Sequence, residues 1–258
     1  MDQLLNIVEY GQPGGVPLLV VHGLFGAARN WRALARRMAQ NRHVVCVDMR
    51  NHADSFWSDD MTYPAMAKDL ARVVRQIGGQ ADVLGHSMGG KAAMVLALQA
   101  PQLVRSLIVA DIAPVAYSHS QRPAIAAMRS IDLNTITRTS EAQAALTAAT
   151  GDDGLGAFLA QSVKLDAERG NSWGLNLSAL DANMDAIIGF PPVTGQFEGP
   201  VFFLTGAQSD YVRKEHTDLV ISLFPNVSHK ALANAGHWLH ADQPTAFVAA
   251  VNGFLTQY

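Results

Sequence analysis

A single cysteine in 258 residues excludes two kinds of architecture. Cys46 has no partner for an intrachain disulfide, and it cannot build a cysteine-based zinc cluster alone. Charge is also scarce. Only 16% of residues are Asp, Glu, Lys or Arg, and the formal net charge is −3. The chain therefore lacks the basic field that draws nucleic acid and the polybasic patch that docks on anionic lipid. No run approaches the roughly 18 apolar residues of a membrane span. The opening MDQLLNIVEYG has no basic start, apolar centre or small-residue cleavage site of the kind a secretory leader needs. The nine histidines show no spacing with carboxylates that suggests a metal site. The expectation is a soluble, cytoplasmic protein with no metal, no cofactor, and no nucleic-acid or membrane partner. Nothing in the chain indicates an oligomeric state.

What is present is apolar material, 49% of the residues, enough for a large core. Short β-branched runs alternate with amphipathic stretches, the pattern of a mostly parallel sheet covered by helices. PLLVVHG (17–23), HVVCVDM (43–49), ADVLGHS (81–87) and VRSLIVADIAP (104–114) read as strands, the first two buried on both faces. Between them NWRALARRMA, a stripe from Met66 to Ile77 that stops at Gly78-Gly79, and MGGKAAMVLALQA read as helices. The alternation then stops. Residues 114–196 are rich in alanine and read as several short helices, with Met128, Phe158 and Trp173 building mainly their own core. It resumes with GPVFFLTG, a helix around HTDLVISLF, a strand around SHKALAN, and a last helix PTAFVAAVNGFL. The expected organisation is one α/β core formed by 1–113 and 197–258, carrying a helical insertion at 114–196 after the strand that ends near Asp111.

Within this frame, Gly85-His86-Ser87-Met88-Gly89 joins a strand to a helix. A serine hydroxyl is a weak nucleophile until a base and an oxyanion site serve it. A sharp strand-to-helix turn holds the hydroxyl above the sheet and aims the next backbone N–H at the reacting oxygen. Such a turn crowds the positions two before and two after the serine, and glycine occupies both. The base should come late, after the last strand, where His237 follows Ala235-Gly236. His240 lies three residues on and lacks that preceding glycine. Two aspartates could stand behind the histidine: Asp210 after the strand VFFLTG, and Asp111 at the end of LIVAD. Both belong to the C-terminal edge of the sheet, where open α/β sheets bind ligands. The His22-Gly23 turn supplies a second oxyanion donor, the backbone N–H of Leu24 (with Phe25 the weaker choice), beside that of Met88. His22 reads as a ring that holds this loop, Lys91 as a structural residue and Cys46 as a small buried one.

In order, the segments VVHGLFG, VDMRNHADS, GHSMGGK, DIAP, SDYV and AGHWLHADQP resemble the α/β-hydrolase superfamily along essentially the whole chain. Together with MTYPAMAKDL they are most similar to small bacterial esterases related to mitochondrial α/β-hydrolase-domain proteins. The resemblance implies an α/β-hydrolase fold, Ser87 as nucleophile, His237 as base, a helical cap at 114–196, and cleavage of short- to medium-chain acyl esters or thioesters. It also tilts the choice of acid from Asp210 toward Asp111. One departure stands out: relatives read Arg-Asn-His-Gly where this chain has Arg50-Asn51-His52-Ala53 followed by Asp54 and Ser55. That change should alter the loop and puts Asp54 near the rim of the pocket. The leading expectation is a cofactor-free carboxylesterase or thioesterase that forms an acyl-serine. The alternatives are a lyase of the menaquinone-pathway type on the same scaffold, and a non-catalytic ligand-binding protein.

Overall fold

The computed structural model describes residues 3–258, so the first two residues of the stretch read for a leader lie outside it. Seven strands make the main sheet. They are β1 (Ile7–Tyr10), β2 (Leu18–Val21), β3 (Val44–Val47), β4 (Ala81–His86), β5 (Val104–Ala110), β8 (Val201–Gly206) and β9 (Val227–Leu232). Their order across the sheet is β1-β3-β2-β4-β5-β8-β9. Every pairing is parallel except β1 on β3. The pair β6 (Val163–Lys164) and β7 (Ser172–Trp173) forms a separate antiparallel ribbon.

Burial on both faces explains why the central strands are unbroken apolar runs. Along β2, Leu19 and Val21 join one apolar cluster while Leu18 and Val20 join the other. One face is covered by α2 (Tyr63–Gln76) and α3 (Met88–Gln99). Pro64 opens α2, where the missing N–H costs nothing, and Tyr63, Met66, Leu70, Val73 and Val74 form its buried stripe. The other face is covered by α1 (Arg32–Met38) and α11 (Pro244–Leu255), through Leu34, Ala35, Met38, Phe247 and Val251.

Between β5 and β8 the chain runs through α4 (Arg122–Ser130), α5 (Thr139–Thr150), α6 (Asp153–Ala160), the ribbon, α7 (Leu177–Ala182) and α8 (Met184–Ile188). This is the helical cap, inserted after the strand that ends beside Asp111. Arg122 and Arg129 of α4 pair with Asp181 and Asp185 of α7 and α8. Met128 is buried in, and Trp173 packs against, the same apolar cluster that includes Leu19, Val21 and the buried stripes of α2 and α3. The insertion thus shares the core's cluster, where the sequence reading expected it to build mainly its own. Two short elements complete the fold: α9 (Thr217–Leu223) and α10 (Leu239–Asp242). Among the described residues no helix is long and apolar enough to cross a membrane.

Candidate active site

Sheet register brings the site together. Gly85 of β4 lies opposite Val21 of β2 and Val109 of β5, and His86 lies opposite Ala110. The turn after β4 therefore sits between the His22-Gly23 turn and Asp111. Ser87 occupies φ 53°, ψ −121°, a conformation that lifts its hydroxyl clear of the strand. The crowding around it is measurable. A Cβ on Gly85 would come within 2.4 Å of the Gly89 carbonyl oxygen, and one on Gly89 within 2.5 Å of the carbonyl oxygens of Val21 and His22.

His237, on the loop between β9 and α10, faces Ser87 and Asp111 together. The serine hydroxyl donates to His237 Nε2 at 3.0 Å. The Nδ1–H donates to Asp111 Oδ2 at 2.8 Å. The Asp111 side chain is wholly buried and is further satisfied by the Gly206 N–H at 3.0 Å and the Ser209 hydroxyl at 2.5 Å. Asp210 turns away. Its carboxylate is 84% exposed and meets Arg213, three residues along, at 3.4 Å. Of the two aspartates the sequence left open, only Asp111 reaches the imidazole. His240 is half-buried, stacked on Trp31 at 4.5 Å between ring centroids, and its buried Nδ1 has no partner.

The loop that the sequence reading expected to carry the second oxyanion donor is held by two histidines. His22 Nε2 accepts from the Met49 N–H at 2.9 Å while its Nδ1–H donates to the Gly23 carbonyl at 2.7 Å. His52 Nε2 accepts from the Phe25 N–H at 3.1 Å, so that amide is committed. The amides of Leu24 and Met88 make no hydrogen bond within the described residues. Burial pushes His22 down to about 4 and His52 to about 3. This agrees with rings that accept from backbone amides and stay uncharged. Ala53, the residue at which the sequence departs from the pattern it resembles, keeps φ at 47°. Its N–H donates to the Gly174 carbonyl at 2.6 Å, so cap contacts hold a turn that an alanine would otherwise resist. Asp54 is not part of the pocket wall; it pairs with Lys164 of β6 at 2.7 Å and ties the ribbon to the core.

A cavity of about 940 Å³ opens over Ser87. Its wall includes Tyr63, Lys91, Ile112 and Ile188 as well as Leu34, Leu155, Phe158 and Trp238. Lys91 is buried and donates to the carbonyls of Ile188 and Gly189 at 2.8 and 2.6 Å. Its ammonium also lies 4.6 Å from the centre of the Tyr117 ring, and burial pushes it down to about 7. Cys46, mid-strand and buried, is pushed up to about 12. Among the described residues no group of three or more His, Cys, Asp or Glu is arranged to hold a metal ion. Sequence reasoning missed Ser209, Tyr211, Tyr117 and His86. Ser209 stands next to Asp210, and no local signal says that the hydroxyl, not the carboxylate, faces inward.

The chain matches the model of the alpha/beta hydrolase family over residues 18–251. It is 39% identical over 247 residues to the sn-1-specific diacylglycerol lipase ABHD11 of Mus musculus, covering 92% of this chain and 80% of that protein. It is 34% identical to Esterase YbfF of Escherichia coli K12, covering 95% and 94% of the two chains. Among solved structures, an esterase from a marine microorganism superposes with a TM-score of 0.93 at 32% identity, over 98% of this chain and all of the other.

Proposed function

The chain belongs to the alpha/beta hydrolase family and is a serine-type ester hydrolase, and on that footing we propose that it cleaves short- to medium-chain carboxylic esters or thioesters through an acyl-serine formed on Ser87. The observation that carries this reading is the pair of contacts, 3.0 and 2.8 Å, that string Ser87, His237 and Asp111 together beneath the cavity. His237 Nε2 takes the Ser87 proton as Oγ attacks the acyl carbonyl, and Asp111 holds the ring in the required tautomer and steadies its charge. The developing oxyanion is met by the uncommitted amides of Leu24 and Met88, the latter at the N-terminus of α3. His237 then protonates the departing alcohol or thiol, and activates the water that frees the acid. The mouse relative's name supplies an ester bond as precedent.

The test is turnover of p-nitrophenyl esters and acyl thioesters of graded length by the wild-type protein and Ser87→Ala. Loss on the order of 10⁶ in kcat is expected for Ser87→Ala. Retention of more than a trace by the variant would sink the mechanism.

A further inference from the structure

A second aromatic ring lies flat against the proposed base. Tyr211 and His237 stack with centroids 3.8 Å apart and planes 14° from parallel. The bonds to Ser87 and Asp111 fix the two ring nitrogens from within the imidazole plane; Tyr211 closes one face of it. Three contacts hold Tyr211 in turn. Its hydroxyl meets His119 Nε2 at 3.0 Å, its carbonyl accepts from the Tyr117 hydroxyl at 2.7 Å, and its N–H donates to Ser209 Oγ at 3.3 Å. Tyr117 itself accepts from the Ala113 N–H at 2.9 Å. Ala113, Tyr117 and His119 all belong to the segment that leads from β5 into α4, the entrance of the cap.

We propose that Tyr211 is a positioning residue that fixes the plane of the His237 imidazole and steadies its charged form, and that the segment entering the cap clamps it in place. The proposal rests on the reading of Ser87, His237 and Asp111 given above. An imidazolium formed during attack lies over the electron-rich face of the phenol, an attraction that grows only as charge develops. A residue that merely filled space could be replaced by any side chain of similar bulk. A stacking residue can be replaced only by another flat ring.

Tyr211→Phe keeps the stack and loses the bond to His119; Tyr211→Leu loses both, with Tyr211→Met as the second apolar variant should leucine abolish the unfolding transition. For a p-nitrophenyl ester, kcat should fall on the order of tenfold in the apolar variants with KM within about twofold, and stay within about threefold in Tyr211→Phe. Labelling of the serine by a fluorophosphonate, which needs the base but no acyl pocket, should slow by the same factor as kcat. Wild-type kcat in the apolar variants, or an equal loss in Tyr211→Phe, would overturn the proposal. Ser87→Ala, run in parallel, separates the two ideas: activity there defeats the serine mechanism, whereas an inert Ser87→Ala beside a fully active Tyr211→Leu defeats only the role of Tyr211.

Discussion

Ser87 and Asp111 end adjacent strands with backbone φ of 53° and 51°, a region where a residue with a Cβ is strained by about 1–3 kcal/mol. Each is held there by its surroundings. The Ser87 N–H donates to the Ala110 carbonyl, and the Asp111 N–H to the Leu204 carbonyl. The two strained positions meet through His237. Asparagine at position 111 would keep the shape but favour the wrong tautomer of the ring, so Asp111→Asn should lower kcat on the order of 10⁴-fold. Asp210→Asn, which alters only an exposed pair with Arg213, should change kcat by less than about twofold. Esterase kinetics on both variants decides the matter; a large loss at 210 would overturn the assignment. The serine turn was legible in the sequence because its demands are local, glycines at fixed offsets between a strand and a helix. The aspartate was not legible from the residues themselves, and only the resemblance leaned toward Asp111, because the choice depends on how the chain turns after β8. There Ser209 faces the carboxylate of Asp111 and Asp210 faces Arg213.

Most elements were legible through their burial, with β9 the exception, read as a strand around SHKALAN although four of its six residues are exposed. β2, β3, β4, β5 and β8 are almost entirely enclosed, and each appears in the sequence as an apolar run ending at a turn. β1 escaped because IVEY is a half-exposed edge strand, with little periodicity in four residues. The ribbon β6–β7 escaped because each arm is two residues long. Helix α3 shows how closely one element must approach another. It is apolar nearly all round, with Gly89 and Gly90 against the sheet. Gly89→Ala would drive a methyl group to 2.5 Å from two backbone carbonyl oxygens of the β2 end, and backbone cannot step aside as a side chain can. A loss of about 3 kcal/mol or more is expected. Gly253 is the contrast, in the exposed face of α11 with nothing within 4 Å of the place an alanine methyl would take. Gly253→Ala should gain about 0.5–1 kcal/mol by lowering the entropy lost on folding. Urea unfolding of the two variants measures both signs, and equal effects would mean that helix propensity, not close approach, governs α3.

At the scale of the whole molecule, the site rests on a bed of imidazoles, three of them buried and His240 half-buried. His22, His52, His86 and His240 lie under the loops of the site with their rings in contact, His22 on His52 at 5.0 Å and His86 on His240 at 4.6 Å. His86 also donates from Nε2 to the His237 carbonyl at 2.8 Å, pinning the loop that carries the proposed base. Burial holds His22 and His240 down to about 4 and His52 to about 3, and displaces His86 well below its ordinary value, helped by its histidine neighbours. In the unfolded chain the same rings take up protons near 6.5. Between about 6.5 and 4 the unfolded state therefore binds more protons than the folded one, and stability must fall as pH falls through that window. Each ring contributes up to about 1.4 kcal/mol per pH unit, so four acting together can exhaust the stability of an ordinary domain before its carboxylates are protonated. Unfolding in urea at pH 7.5, 6, 5 and 4.5 should show a midpoint that drops steeply below pH 6. Replacing His240, whose Nδ1 is already without a partner, by phenylalanine should make that slope shallower by about one proton. A midpoint flat from pH 7.5 to 4.5 would mean that these rings take up protons as readily in the folded protein as in the unfolded chain, and that the loop over the cavity is held by something other than neutral imidazole.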